Sequence, residues 1–314
     1  TAAIAGNSYA WSPASGLSNA GIAQPIANAP NTYTLTVTNT ANGCTATDIV
    51  VVSKNITPPV ANAGADKTLT CANPTSQIGT AATPGNSYAW LPASGLSNAG
   101  IAQPVANAPN TYTLTVTNTA NGCTATDAVV VAQNITPPTA NAGPDRTLTC
   151  ANTSFLIGTT GNSNNSYSWS PAFGLSNSLI AQPTVNSPGT YTLTVTNNTN
   201  GCSSTDAVII GQNITPPIAN AGADKTLTCA VTSIQIGSTQ TVGNTYSWSP
   251  STNLSNPISS QPFATAPGNY TVTVTNTANG CAATDVVNVA RNITPPIANA
   301  GTDKTLTCTN TSFV

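Results

Sequence analysis

The chain repeats itself without slippage. Trp11, Trp90, Trp169 and Trp248 stand at one constant step (90 − 11 = 79). Cys44, Cys123, Cys202 and Cys281 keep that step, and so do Cys71, Cys150, Cys229 and Cys308. A fixed period with no insertion means one structural unit used repeatedly, so the question becomes what a single repeat can fold into. The punctuation is Asn55-Ile56-Thr57-Pro58-Pro59, which returns at Asn134, Asn213 and Asn292. Paired prolines supply no amide donors and fix φ, so each run reads as a stiff extended connector. Counting from the threonine before the prolines gives complete modules at 57–135, 136–214 and 215–293. Residues 1–56 read as the C-terminal part of a further module and 294–314 as the start of another, as expected of a stretch from a longer array. Connectors of one kind imply a constant rotation between modules and a rise of about 35–45 Å.

Within a module the pattern is that of strands. Thr111-Tyr112-Thr113-Leu114-Thr115-Val116-Thr117 alternates strictly, with Tyr112, Leu114 and Val116 on one face and threonines on the other; that is the period of a half-buried strand. Asn121-Gly122 then signals a hairpin, because both residues tolerate positive φ, and a second strand runs over 124–131. Tyr88 and Trp90 mark a central strand, Leu69 and Ile78 two earlier ones, and 101–106 an edge strand weakened by Pro104. About seven short strands and no helical periodicity predict an all-β fold: a tandem array of small antiparallel, immunoglobulin-like β-sandwiches. The predicted core of 57–135 is Leu69, Ile78, Tyr88, Trp90, Leu96, Ile101, Val105, Tyr112, Leu114, Val116, Val129 and Val131. That is thin for an independent domain, so a covalent staple is expected.

Composition narrows the function. Only 4% of residues are charged and the net charge is −2, with no histidine and aspartate as the sole acid. Six Lys/Arg spread over four repeats cannot form a nucleic-acid patch, and no apolar run is long enough to insert in a membrane. Without His or Glu no catalytic residue, cofactor site or transition-metal site is expected. Each repeat carries two aspartates. Asp66 and Asp127 are the candidate Ca²⁺ ligands of 57–135, but two carboxylates are few for a calcium shell. The structural alternative has Asp66 capping a turn and Asp127 paired with Lys67. An isopeptide staple would need a lysine in every module, and Arg146 replaces it where the others have Lys67, Lys225 and Lys304. Regular Thr-x-Thr faces suit ice or carbohydrate, and equally suit a wet strand face. Asn55-Ile56-Thr57 fits a glycosylation sequon, but Pro58 disfavours it, leaving linker residues.

Two cysteines per repeat indicate an oxidising compartment. Two pairings are open. One lies within a module (Cys71–Cys123, Cys150–Cys202, Cys229–Cys281), leaving Cys44 and Cys308 to partners outside the sequence. The other spans the connector (Cys44–Cys71, Cys123–Cys150, Cys202–Cys229, Cys281–Cys308). Loop entropy separates them by only about 0.5 kcal/mol.

Pro59-Val60-Ala61-Asn62-Ala63-Gly64, Leu69-Thr70-Cys71, Tyr88-Ala89-Trp90, Tyr112-Thr113-Leu114-Thr115-Val116 and Asn121-Gly122-Cys123 together resemble the PKD-like and Ig-like repeats of large Bacteroidota surface proteins, among them gliding-motility adhesins and other type IX secretion cargo. Trp90 is followed by Leu91-Pro92-Ala93 where PKD domains often carry Trp-Asp-Phe-Gly, so the likeness is to the looser Ig-like variants. The resemblance implies an extracellular stalk or filament shaft. Its partners would be copies of itself or neighbouring modules; the alternative is a multivalent adhesin for glycan, surface or ice. It also implies the within-module cysteine pairing, since similar modules carry both cysteines even when they stand alone. Elemental analysis of the purified chain is expected to find no stoichiometric transition metal; finding one would overturn this reading, whereas one calcium per module would favour the Asp66 and Asp127 site instead.

Overall fold

The computed structural model describes residues 2–312. The chain forms two compact units, Thr1–Thr136 with Asn200–Cys202, and Pro137–Thr199 with Ser203–Val314. In the first, β1 (Asn7–Ser12), β2 (Asn31–Asn39) and β3 (Thr45–Val52) make a three-stranded antiparallel sheet. The following strands are β4 (Lys67–Thr70), β5 (Ser76–Gln77), β6 (Asn86–Leu91), β7 (Val105–Ala106), β8 (Asn110–Asn118) and β9 (Thr124–Asn134). They form a four-stranded sheet in the order β4-β9-β8-β6 and a two-stranded ribbon β5-β7. The second unit builds the same pair of sheets twice, from strands beginning at Arg146 and at Lys225. The fold is an all-β tandem array of immunoglobulin-like sandwiches.

The alternation in the sequence drives this arrangement. Tyr112, Leu114 and Val116 on β8 and Val129 and Val131 on β9 are all buried, facing Leu69, Ile78 and Trp90. Full burial of each aliphatic side chain contributes about 1.5–3 kcal/mol. The Trp90 indole NH donates to the Ile101 carbonyl at 2.9 Å, and the Tyr112 hydroxyl to the Ala108 carbonyl at 3.0 Å. Both large rings thus bury their apolar bodies with their polar atoms satisfied. Equivalent cores occupy 142–210 and 221–289.

Several expectations are corrected. Six strands form in 57–135, not about seven, and β6 with Tyr88 and Trp90 lies at the sheet edge, not its centre. The first strand runs parallel to the last, Lys67 beside Val131 and Thr70 beside Asn134, in an otherwise antiparallel module. Ile101 and Val105 are 42% and 38% exposed, while the alanines beside them, Ala102 and Ala106, point inward. The cause is close backbone approach: a Cβ on Gly79, which sits at φ +80°, would collide with the Ala102 carbonyl. Only small side chains fit between these segments, so the parity of 101–106 follows the glycine and not the larger hydrophobics.

Burial pushes the phenols of Tyr112, Tyr191 and Tyr270 above their ordinary range. The unfolded chain releases these protons near pH 10, so above that pH it binds fewer protons than the fold and stability falls as pH rises. The denaturation midpoint is expected to drop between pH 8 and pH 11. A variant carrying Phe at all three positions is expected to show a shallower drop, starting from a pH 8 stability lower by about 1 kcal/mol per lost hydrogen bond.

Candidate functional site: the cysteine staples

The parallel β4–β9 pair decides which cysteines can meet. β9 begins at Thr124, just after Cys123, and ends at Asn134. β4 ends beside Asn134, so Cys71 lies at that far end. Eleven residues of strand span about 36 Å at ~3.3 Å each, whereas a disulfide needs Cα atoms within about 7 Å. The within-module pairs Cys71–Cys123, Cys150–Cys202 and Cys229–Cys281 are therefore not formed. The connector-spanning alternative is absent too.

Instead Cys71 bonds to Cys202 and Cys150 to Cys281, each with a Cα–Cα distance of 5.0 Å and a sequence separation of 131. Each bond joins the end of a first strand to the hairpin tip one repeat further along. Cys44, Cys123, Cys229 and Cys308 carry free thiols.

A small built contact surrounds each bond. The Ala151 amide donates to the Asn279 carbonyl at 3.2 Å, and Ala72 repeats this to Asn200 at 3.1 Å. Gly280 sits at φ +70°, and a Cβ there would stand 2.6 Å from the Ala151 methyl; Gly201 meets Ala72 in the same way. The tip asparagine has a separate task. Buried Asn279 donates from Nδ2 to Asn213 Oδ1 and to the Thr215 carbonyl, both at 3.0 Å, and accepts the Cys281 amide at 2.9 Å. Asn200 and Asn121 hold their own connectors likewise. The Asn-Gly pair does more than turn the chain. Only the glycine takes positive φ, 71° at Gly122, and the asparagine is a clamp on the connector through Asn55 and Thr57.

The aspartates fasten the first strand. Asp127 Oδ2 accepts the Ala63 amide at 2.8 Å, and Asp66 Oδ1 accepts the Val130 amide at 2.9 Å. The same two bonds recur at Asp206 and Asp145, and at Asp285 and Asp224. Asp127 is thus not paired with Lys67, and Asp66 ties a strand instead of capping a turn. Among the described residues no three acidic, histidine or cysteine side chains cluster to hold a metal ion. A polar cleft of about 390 Å³ in the second unit is lined by Asn141, Thr160, Asn162 and Tyr167. Phe173 is 81% exposed beside a second concavity.

No protein-family model and no curated protein sequence matches the chain. Among solved structures, titin domains I67–I69 in an E-to-A mutated variant align at 13% identity and a TM-score of 0.38, over 75% of this chain and 99% of that one. The N-terminal eight Ig domains of Down syndrome cell adhesion molecule align at 12% identity and 0.34, over 85% and 40%. Three N-terminal domains of the bacteriophage RB49 highly immunogenic outer capsid protein align at 13% and 0.30, over 84% and 95%.

Residues 57–135 alone are expected to keep two free thiols under oxidising conditions, whereas 57–214 gains one bond, Cys71–Cys202, by peptide mapping. A Cys71–Cys123 peptide from either chain would contradict the geometry. Replacing Asn279 by alanine strands the buried Cys281 amide and is expected to cost about 1–3 kcal/mol, read as a lower denaturation midpoint.

Proposed function

We propose that the chain is a load-bearing structural repeat region of an extracellular protein, a stalk or filament shaft built from the modules 57–135, 136–214 and 215–293. The observation that carries this is the staple at 131-residue separation. A bond from each first strand to the next hairpin tip adds nothing to recognition or chemistry, but it lets tension bypass the connector. Structural disulfides that recur from repeat to repeat belong to oxidising surroundings, and the resemblance to Bacteroidota surface repeats points the same way. The nearly uncharged Thr/Ser/Asn surface suits exposure to varying salt and pH.

A second reading, a multivalent adhesin, draws on exposed Phe173 and the nearby polar clefts. It is weaker because Phe173 belongs to one module, its equivalents being Ser15, Ser94 and Thr252, while the staples recur. Single-molecule pulling tests the first reading. Between Cys71 and Cys281 the shortest covalent path in the oxidised chain runs through both bonds and the stretch from Cys202 back to Cys150 (202 − 150 = 52), which hides 158 of the 210 residues between them. Reduction is expected to lengthen the fully extended chain by about 540 Å at ~3.4 Å per residue. Equal extension in both states, or saturable binding to a glycan panel by residues 57–293, would count against the structural reading.

A further inference from the structure

Asn-Gly occurs four times in the chain, each time at a hairpin tip and each time followed by cysteine. It is the pair at which a peptide most readily attacks itself. Glycine has no side chain to screen its amide nitrogen, which can close on the preceding side-chain amide carbon and form a five-membered succinimide. Hydrolysis of that ring leaves an acid where the amide stood.

At the stapled tips this reaction is blocked on three counts. The Gly280 amide donates to the Asn276 carbonyl at 2.8 Å, so the proton that attack must remove is already held. The Asn279 side chain cannot turn, because its Oδ1 and Nδ2 share three hydrogen bonds of 2.9 or 3.0 Å. Asn200 is held by the same three contacts. Both asparagines are buried, which keeps out the water that hydrolysis consumes. The staple closes the outer side. Cys281 is bonded to Cys150, and the Ala151 amide donates to the Asn279 carbonyl at 3.2 Å. Cys202, bonded to Cys71, has Ala72 against its tip in the same way.

We propose that Asn200 and Asn279 are sites of spontaneous deamidation which the staples keep silent, so that a tip left reduced is converted for good and cannot be stapled again. Reduction by a dithiol is the release. One dithiol thiolate attacks the Cys150–Cys281 bond, the second closes on the mixed disulfide, and the dithiol departs as a cyclic disulfide, leaving two protein thiols. Local opening of the tip is then no longer opposed by a cross-link. The Gly280 nitrogen gives its proton to a solvent base and bonds to Asn279 Cγ. The Cγ–Nδ2 bond breaks, and Nδ2 takes up a proton and leaves as ammonia. Water then adds to one or other succinimide carbonyl, giving aspartate or isoaspartate at position 279.

Either product spoils the contact. A carboxylate has no N–H to offer the Thr215 carbonyl, and it leaves a charge in a buried site. Isoaspartate also carries the main chain through the side-chain methylene. The backbone is lengthened by one atom where Gly280 and Ala151 are so close that a Cβ would not fit between them. The inference goes beyond the load-bearing reading: it assigns a modification chemistry to the tips and makes loss of a staple a one-way event.

The test uses the whole chain, aged at mildly alkaline pH either oxidised or reduced with dithiothreitol. Peptide mass spectrometry reads the conversion of amide to acid at each tip, and electron-transfer fragmentation separates isoaspartate from aspartate. In the oxidised chain positions 200 and 279 are expected to remain amides, and in the reduced chain conversion is expected to run about tenfold faster or more. A variant with Cys150→Ser and Cys281→Ser removes one staple and keeps the other. In it position 279 is expected to convert without reductant while position 200 stays silent, and the surviving Cys71–Cys202 bond reports folding. After reoxidation of the aged, reduced chain with glutathione disulfide, converted tips are expected with a free Cys281 thiol and depleted from Cys150–Cys281 peptides. Equal rates in oxidised and reduced chain, equal rates at positions 200 and 279 of the variant, or converted tips in re-formed bonds would overturn the proposal. Such results would leave the load-bearing role standing, since the pulling experiment tests it separately.

Discussion

The parallel alignment of β4 with β9 is the constraint on which the covalent structure depends. Four residues set side by side in one direction place Cys71 at the end of the module where the chain leaves. The hairpin carrying Cys123 lies at the other end, where Asn121 grips the incoming connector at Asn55 and Thr57. With the two cysteines at opposite ends, a module cannot close on itself. Each first strand must take the tip of the repeat that follows. Had β4 run antiparallel to β9, Cys71 would sit beside the tip and the module would be stapled internally. Strand direction, not cysteine spacing, therefore makes the bond a link between repeats.

That direction is held by two carboxylates. Asp127 and Asp66 each accept one backbone amide across the β4–β9 pair, and the pattern recurs in every complete module. Such bonds from an ionised acceptor are roughly twice as strong as neutral ones. The conserved chemistry of the repeat, two aspartates and two cysteines, thus belongs to one device: the aspartates position the first strand and the cysteine at its end exports the link. In a chain with so few charges, that economy argues against reading the aspartates as a metal site.

Much of the fold was legible in the sequence because it rests on local periodicity. β8 and its hairpin to β9 follow from alternation and a Gly at positive φ, and the burial of Trp90 and Tyr112 follows from their register on those strands. What was not legible is long-range. The pairing direction of a four-residue strand leaves no trace in its own residues. The inward turn of Ala102 and Ala106 in place of Ile101 and Val105 depends on Gly79, more than twenty positions earlier, admitting the backbone of 102. A Gly outside any obvious turn was the available signal, since glycine there suggests a close backbone approach.

The staple is illegible in the sequence for a related reason. Both pairings drawn from the sequence joined cysteines that are neighbours along the chain, whereas the bonds pass over an intervening pair to reach a separation of 131. A signal did exist. Asn-Gly-Cys follows β8 in every repeat, and a hairpin tip needs the glycine but neither a buried asparagine nor a cysteine. Asn200 and Asn279 are 2% exposed, far more buried than solvated tips require. A turn that repeats residues beyond its own needs is spending them on a contact, and at these tips the contact is with the connector and with the end of the preceding first strand. The Gly122 tip shows the connector half of that contact by itself, with Asn121 bonded to Asn55 and Thr57.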